Sequence, residues 1–553
     1  MKQSNRTSIR NNRTGELAIL EIHNLFFTTL LTNFLQRRML EIAVTRKVVW
    51  LSLLQLLFIG GSFLGSLDGQ EDRKDLSGDL SVPPHQIEWP TPVVTSHEVT
   101  IDGNAIPYYA TAGTLPVFDE AGQQVADIFF VYYKRSDIQD TQRRPLTFSF
   151  NGGPGSASVW MHIGYTGPQL LMIDDEGFPI QPYGTKENPH SILDVSDIVY
   201  IDPVNTGFSR PVDGVDTSQF FGVNQDIKYL ARWIEQFISR FERWGSPKIL
   251  IGESYGTTRV AGLARQLQAT HRIYVDGVIL VSPTSLGIER AGPVQVALLL
   301  PHYAATAWYH HQLKSELQNR DLEEILPEVE DFAINEYLPA LVNGGFIEDA
   351  RRQQIAARVA EYAGVSTDFV LNYNLQFPIA SWRKELLREQ RLTVGRLDAR
   401  YRGVDRDSGG AEYEYDPALA AWMQSFTPAI NLYLRGSLNY KTERSYNIFG
   451  PVSPWDRTGD STGENLRRSM AENPWLKVMI QAGYYDGGTD YFSAKYTMWN
   501  LDPSGTFRDR LRFHAYRSGH MMYLRKDDLP SSNQHVREFI EWAVPAAGSP
   551  ARW

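Results

Sequence analysis

No cysteine occurs anywhere in the chain. Disulfides, thiol nucleophiles and cysteine-ligated zinc are excluded at once, whereas export is not, because exported proteins need no disulfides. Positive charge is also in deficit: 54 Lys and Arg stand against 64 Asp and Glu, a formal net charge of -10. With no basic run to offset that balance, nucleic acid is not expected as a partner. His302, His310 and His311 fall in no Glu-x-x-His or similar zinc spacing, so no metal site is expected, and no cofactor is called for. Hydrophobic residues make up 42% and charged residues 21% of the 553, ordinary for a globular protein with a sizeable core. That length could hold two to four average domains or one long α/β unit. The 12% of aromatics suit a large interior or an aromatic-lined cleft.

The first 67 residues read as an extension ending in a signal-peptide-like segment. Arg46-Lys47 precedes an apolar run, Val48 to Ile59, and small residues Gly60, Gly61, Ser62, Gly65 and Ser66 follow. A basic flank, a short apolar stretch and a small-residue exit are the parts of a secretory signal. They lie too deep for a normal signal, but Met39 stands just ahead of them, so translation is expected to start there. The expected location is periplasmic or secreted. The alternative is an uncleaved membrane anchor, for which the run is slightly short of the ~20 residues a span needs. Residues 68–90 are polar and read as a linker.

From Val93 the pattern turns to strands. Val99-Thr100-Ile101 and Ile106 to Ala110 flank Asp102-Gly103, a hairpin signal, and Ala126 to Tyr133 extends the antiparallel start. Pro145 to Phe150, Ser196 to Pro203, Ile249 to Ile251 and Val275 to Pro283 then read as buried strands. Between two of them Ile227, Leu230, Ala231, Ile234, Phe237, Ile238 and Phe241 recur at helical spacing. Strand, helix, strand is the rhythm of a mostly parallel sheet covered on both faces. The rhythm stops between 287 and 473, which reads as an inserted, mainly helical cap with helices over Ile325–Leu341 and Ala350–Tyr362. It resumes at Trp475 to Gly483 and Leu511 to Tyr516, and an amphipathic helix over Asn533–Ala543 closes it. The sheet domain therefore spans 91–286 and 474–545, with 546–553 as a tail.

Ile249-Leu250-Ile251-Gly252-Glu253-Ser254-Tyr255-Gly256 is a buried strand running into Gly-x-Ser-x-Gly. That is the nucleophile elbow, a strained turn that lifts a serine hydroxyl clear of a sheet in α/β-hydrolases. Serine is a weak nucleophile alone and needs a base, itself oriented by an acid. In this fold the order is serine, acid, histidine, each in a loop after a strand. Asp486 follows the strand ending at Gly483, and His520 follows the strand ending at Tyr516. Asp490 is the rival acid, further from its strand end, and His514, inside a strand, reads as structural. Asn151-Gly152-Gly153-Pro154-Gly155-Ser156 lacks the Gly-Lys-Ser/Thr ending of a P-loop. It better suits the second part of an oxyanion hole, where a bare backbone N–H must approach the substrate oxygen.

Four segments, Asn151 to Ser156, Gly252 to Gly256, Gly483 to Asp486 and Gly519-His520-Met521, resemble the signature segments of the serine carboxypeptidases in the family's order. The resemblance extends over about residues 90–545, and the lack of cysteine with the Tyr-Asp acid segment is more like the bacterial branch. It implies an α/β-hydrolase fold with an inserted helical cap, Ser254 as nucleophile, His520 as general base and Asp486 as its acid. Gly153 and Tyr255 would supply the oxyanion-hole N–H groups, and Asn151 and Glu253 would bind the terminal carboxylate of a peptide substrate. A glutamate donates to a carboxylate only when protonated, so peptidase action favoured at acidic pH is implied. Eukaryotic members pair that glutamate with a second one; the matching position here is Tyr165, so Glu253 is expected to be less strongly raised. The expected function is removal of C-terminal residues through an acyl-enzyme. The alternatives are an esterase or acyltransferase using the same triad, and a non-catalytic peptide-binding protein.

Overall fold

The computed structural model describes residues 91–550; the expectations for the extension, the signal-like segment, the linker and the last three residues of the tail lie outside them. The first hairpin forms where the sequence indicates. β1 (Val93–Ile101) and β2 (Asn104–Phe118) pair antiparallel across Asp102 and Gly103, both at positive φ, as a tight hairpin turn requires. β3 (Gln124–Arg135) continues the meander. The other main strands of the same sheet are β4 (Leu146–Phe150), β5 (Asp197–Ile201), β6 (Lys248–Glu253), β7 (Gly277–Val281), β8 (Lys477–Gly483) and β9 (Leu511–Tyr516). Together they make one sheet in the order β1-β2-β3-β5-β4-β6-β7-β8-β9, with the short strand Arg210–Pro211 beside β3. The pairs from β5 onward are all parallel.

Parallel strands covered by helices on both faces must be apolar on both, and β4, β5, β6 and β7 are buried at every position. Strand alternation sends neighbours to opposite faces. Leu250 joins the cluster built on Ile227, Leu230, Ile234 and Phe237 of α1 (Val223–Arg240). Ile249 and Ile251 join Phe539 and Ile540 on the other face. Each such aliphatic side chain contributes about 1.5–3 kcal/mol by leaving water, so β6 is held from both sides before it reaches its serine.

The 287–473 segment is mainly helical, including α3 (Leu322–Phe332), α4 (Asp349–Ala363) and α5 (Pro417–Leu432). It also carries a two-residue antiparallel ladder, Thr393–Val394 with Arg402–Gly403. Its last helix, α6 (Thr462–Glu472), packs on α2 (Tyr255–Gln266), the helix that follows the elbow. The closing helix, α7 (Asp528–Ala543), starts five residues before the apolar periodicity does. Pro530 lies in its first turn, where no intrahelical N–H bond is lost, so the polar start is still helical.

Candidate active site

The site forms beyond the carboxyl ends of β4, β6, β8 and β9, the edge at which open α/β sheets hold ligands. Ser254 sits at φ 58°, ψ -126° between β6 and α2, a conformation rarely open to a side-chain-bearing residue and found at functional turns. Crowding explains the flanking glycines. A Cβ on Gly252 would lie 2.2 Å from the Gly256 carbonyl, and one on Gly256 would lie 2.7 Å from the Phe150 carbonyl.

The glycine-rich loop after β4 lies against this elbow. A Cβ on Gly152 would come within 2.4 Å of the Tyr255 nitrogen and 2.8 Å of Ser254 Cβ. Gly153, at φ 98°, lines the same pocket as Tyr255. Tyr255 opens α2, where an N–H has no intrahelical acceptor, and Gly153 N–H donates to no backbone carbonyl among the described residues. Buried charge holds loop and elbow together. Arg259 on α2 donates to the carbonyls of Asn151 at 2.6 Å and Pro154 at 3.2 Å, and is itself paired with Asp226 of α1 at 2.7 Å. Neither side chain of that pair is exposed at all.

Asp486 and His520 meet at this edge. His520 Nδ1 and Asp486 Oδ2 lie 2.7 Å apart, the bond that fixes which ring nitrogen faces a nucleophile. Asp486 also accepts from the Gly488 and Thr489 amides and the Thr489 hydroxyl. Burial pushes its carboxyl up, but the His520 charge and hydrogen bond and the Thr489 donors outweigh it and hold it below the usual range. For His520 burial acts downward, and the Asp486 charge and hydrogen bond, aided by Glu253, carry it above its ordinary value. Ser254 and His520 line one pocket without a direct hydrogen bond between them; such contacts tighten when substrate binds. Asp490, the rival acid, instead caps Tyr491–Leu501 by accepting from Ser493 N–H. His514 stacks on His535 with centroids 3.8 Å apart and does not line the pocket that holds Ser254. His302 and His310 point to the Tyr484 and Ala399 carbonyls, and no cluster able to hold a metal ion occurs among the described residues.

Glu253 is buried beside the serine and accepts from Asn151 Nδ2 at 2.9 Å. The other Asn151 side-chain atom, Oδ1, accepts from Met161 N–H, which fixes the amide. The second Glu253 oxygen accepts from the Tyr523 hydroxyl. Burial, the largest influence, raises the Glu253 carboxyl to about 7 against the downward pull of His520, Tyr523 and Asn151. It is therefore substantially protonated at mildly acidic pH. A pocket of about 370 Å³ is lined by Gly153, Glu253, Ser254, Tyr255 and His520 and walled by Trp160, Leu419, Trp422, Phe449 and Met521, with Asn151 and Tyr523 buried behind Glu253.

Three contributions have no simple motif behind them. Residues 396–399 of the inserted segment bridge the acid and base loops: Gly487 N–H donates to Arg396, Ala399 N–H to Tyr485 and His520 N–H to Leu397, each time to a carbonyl. The Asp226–Arg259 pair had a signal, since each charge lies on a helix face otherwise made of core residues. Tyr523 had only its place three residues after His520.

The sequence model of the serine carboxypeptidase family matches residues 109–317. That stretch contains Asn151, Gly153, Glu253, Ser254 and Tyr255, and ends before Asp486 and His520. Serine carboxypeptidase-like 36 of Arabidopsis thaliana is 27% identical over 165 residues, 28% of this chain and 32% of the relative. Serine carboxypeptidase-like 9 of the same plant is 25% identical over 187 residues, 33% of this chain and 40% of the relative. The matched stretch is thus 32% to 40% of the relatives' lengths. Among solved structures, the Kex1 prohormone-processing carboxypeptidase of Saccharomyces cerevisiae aligns with 78% of this chain and 91% of its own, at 15% identity and a TM-score of 0.47.

Proposed function

We propose that this protein is a serine carboxypeptidase of the bacterial type, cleaving the last peptide bond of peptides with a free C-terminal carboxylate. Ser254 attacks the carbonyl while His520 takes its proton; the imidazolium is stabilised by Asp486 and then protonates the departing amine. Gly153 and Tyr255 N–H groups receive the oxyanion, an arrangement in which one donor is worth on the order of 10²–10³ in rate. Water, deprotonated by His520, releases the acyl group from Ser254. Protonated Glu253 and Asn151 hold the substrate carboxylate. The observation that carries this reading is the buried, protonatable Glu253 directly before Ser254. A simple esterase has no need of a neutral carboxyl there. The family match over 109–317 supports the same reading, and the lack of cysteine supports the bacterial branch. Export remains part of the proposal, and a cytoplasmic native protein retaining residues 1–38 would refute it.

The test is release of the free terminal amino acid from N-blocked dipeptides, compared with the same peptides amidated at the C-terminus and with simple esters. Release from the free acid that falls sharply on amidation is expected. Strong ester turnover without amino-acid release would make the protein an esterase or acyltransferase.

A further inference from the structure

Tyr165 stands where the resemblance puts a second carboxyl for Glu253, yet its hydroxyl points elsewhere. Its single proton is shared between Gln481 Oε1 at 2.8 Å and the Ser532 carbonyl at 3.1 Å. Its ring instead stacks on Tyr523, with centroids 4.5 Å apart and planes 8° from parallel. Tyr523 donates to Glu253, and both tyrosines are wholly buried. The Tyr523 ring is also hemmed in from Gly164, whose added Cβ would lie 3.0 Å from it. The phenol therefore has one orientation, set by a partner that is itself tied at two points.

We propose that Tyr523 is a positioning residue for recognition of the substrate's terminal carboxylate, acting through Glu253 in place of a second carboxyl. The inference rests on the carboxypeptidase reading above. Asn151 and Tyr523 donate to different oxygens of Glu253 and so fix the plane of its carboxyl. The phenol differs from a carboxyl partner in one chemical respect. Two carboxyls share a proton and resist losing it, whereas a neutral O–H donor stabilises the ionised partner. The groups facing Glu253 are Asn151 from the loop after β4, Tyr523 and His520 from the segment after β9, and Asp486 from the loop after β8, with Tyr165 behind Tyr523. Of these His520, Tyr523 and Asn151 favour ionisation, while Asp486 opposes it along with burial. Tyr523 thereby sets the pH at which the pocket stops accepting a carboxylate, below the value burial alone would give.

The experiment is the pH dependence of kcat/KM for an N-blocked dipeptide and for its ester analogue lacking a free carboxylate. Wild type is measured first, and failure to release the terminal amino acid would defeat the carboxypeptidase reading itself. Given release, Tyr523→Phe keeps the stacked ring and removes the donor. The alkaline limb for the peptide should move up by about one pH unit, the loss of one hydrogen bond to a charged acceptor. The peptide-to-ester ratio should also fall at acidic pH. Replacing Tyr523 with 3-fluorotyrosine, a more acidic donor, should move the limb the other way. In a Glu253→Gln background neither change should shift the profile. An unmoved limb in Tyr523→Phe protein that melts cooperatively, a fluorotyrosine shift in the same direction as the phenylalanine one, or a shift persisting in the Glu253→Gln background would overturn the proposal.

Discussion

Ser254 and Glu253 are adjacent residues with different kinds of support. The serine is served by loops at strand ends: the acid after β8, the base after β9 and the glycine-rich loop after β4. Glu253 is served by side chains from two of the same segments, Asn151 opening the loop after β4 and Tyr523 in a short turn, Met522–Leu524, beyond the base. On the proposed reading, the first arrangement generates a nucleophile that acts on any acyl substrate. The second, on the same reading, acts only on substrates ending in a carboxylate. One dipeptide thus joins a general chemistry to a selective one, and the two can be broken separately.

The largest effect belongs to the shared part. Ser254→Ala should lower kcat by roughly 10⁶ on peptides and esters alike; a binding protein would retain peptide affinity and show no rate to lose. Asp486→Asn should cost about 10⁴ on both substrates, because the imidazole loses the partner that orients its tautomer. Steady-state kinetics at the pH optimum checks both. Glu253→Ala separates the two functions by removing the donor: the peptide-to-ester ratio of kcat/KM should fall about 10- to 100-fold, the worth of a hydrogen bond to a charged group. An equal loss on both substrates would show that Glu253 serves the elbow, not the carboxylate. The smallest effect is at Asp490, which caps a helix. Asp490→Ala should cost about 1 kcal/mol in thermal or chemical denaturation, and a 10⁴ loss of kcat there would transfer the acid's role from Asp486.

The difference also decides what the sequence made legible. Strands buried on both faces announce themselves as apolar runs, and Gly252 is demanded by backbone contacts within its own turn, whereas the crowding at Gly256 and Gly152 arises only where the elbow meets the loop after β4. Ser254, Asp486 and His520 follow from those strand ends. The Asn151–Glu253 pair came from resemblance alone, because nothing local marks a glutamate as buried and protonated. Tyr523 and Tyr165 could not be paired from the chain, since their ring stack joins residues brought together only by the folded core. The bridge at 396–399 is invisible for a further reason: it works through backbone carbonyls, which every residue has. The expectation that Tyr165 leaves Glu253 less strongly raised was framed around a missing carboxyl. Burial raises Glu253 to about 7, and the donor at its second oxygen is Tyr523.

The sign of the pH dependence follows from these groups. His520, held above its ordinary value, must be neutral to act as base, so turnover of every substrate falls as pH drops through its pKa. Glu253 must be protonated to donate to a carboxylate, so turnover of peptides alone falls as pH rises through about 7. Peptides should show a narrow bell, and esters an acid limb without the fall near neutrality. The most direct measurement is therefore kcat/KM against pH for an N-blocked dipeptide and its matched ester on the wild-type protein. An alkaline limb near pH 7 is expected for the peptide only. The same limb in both profiles, or in neither, would contradict it.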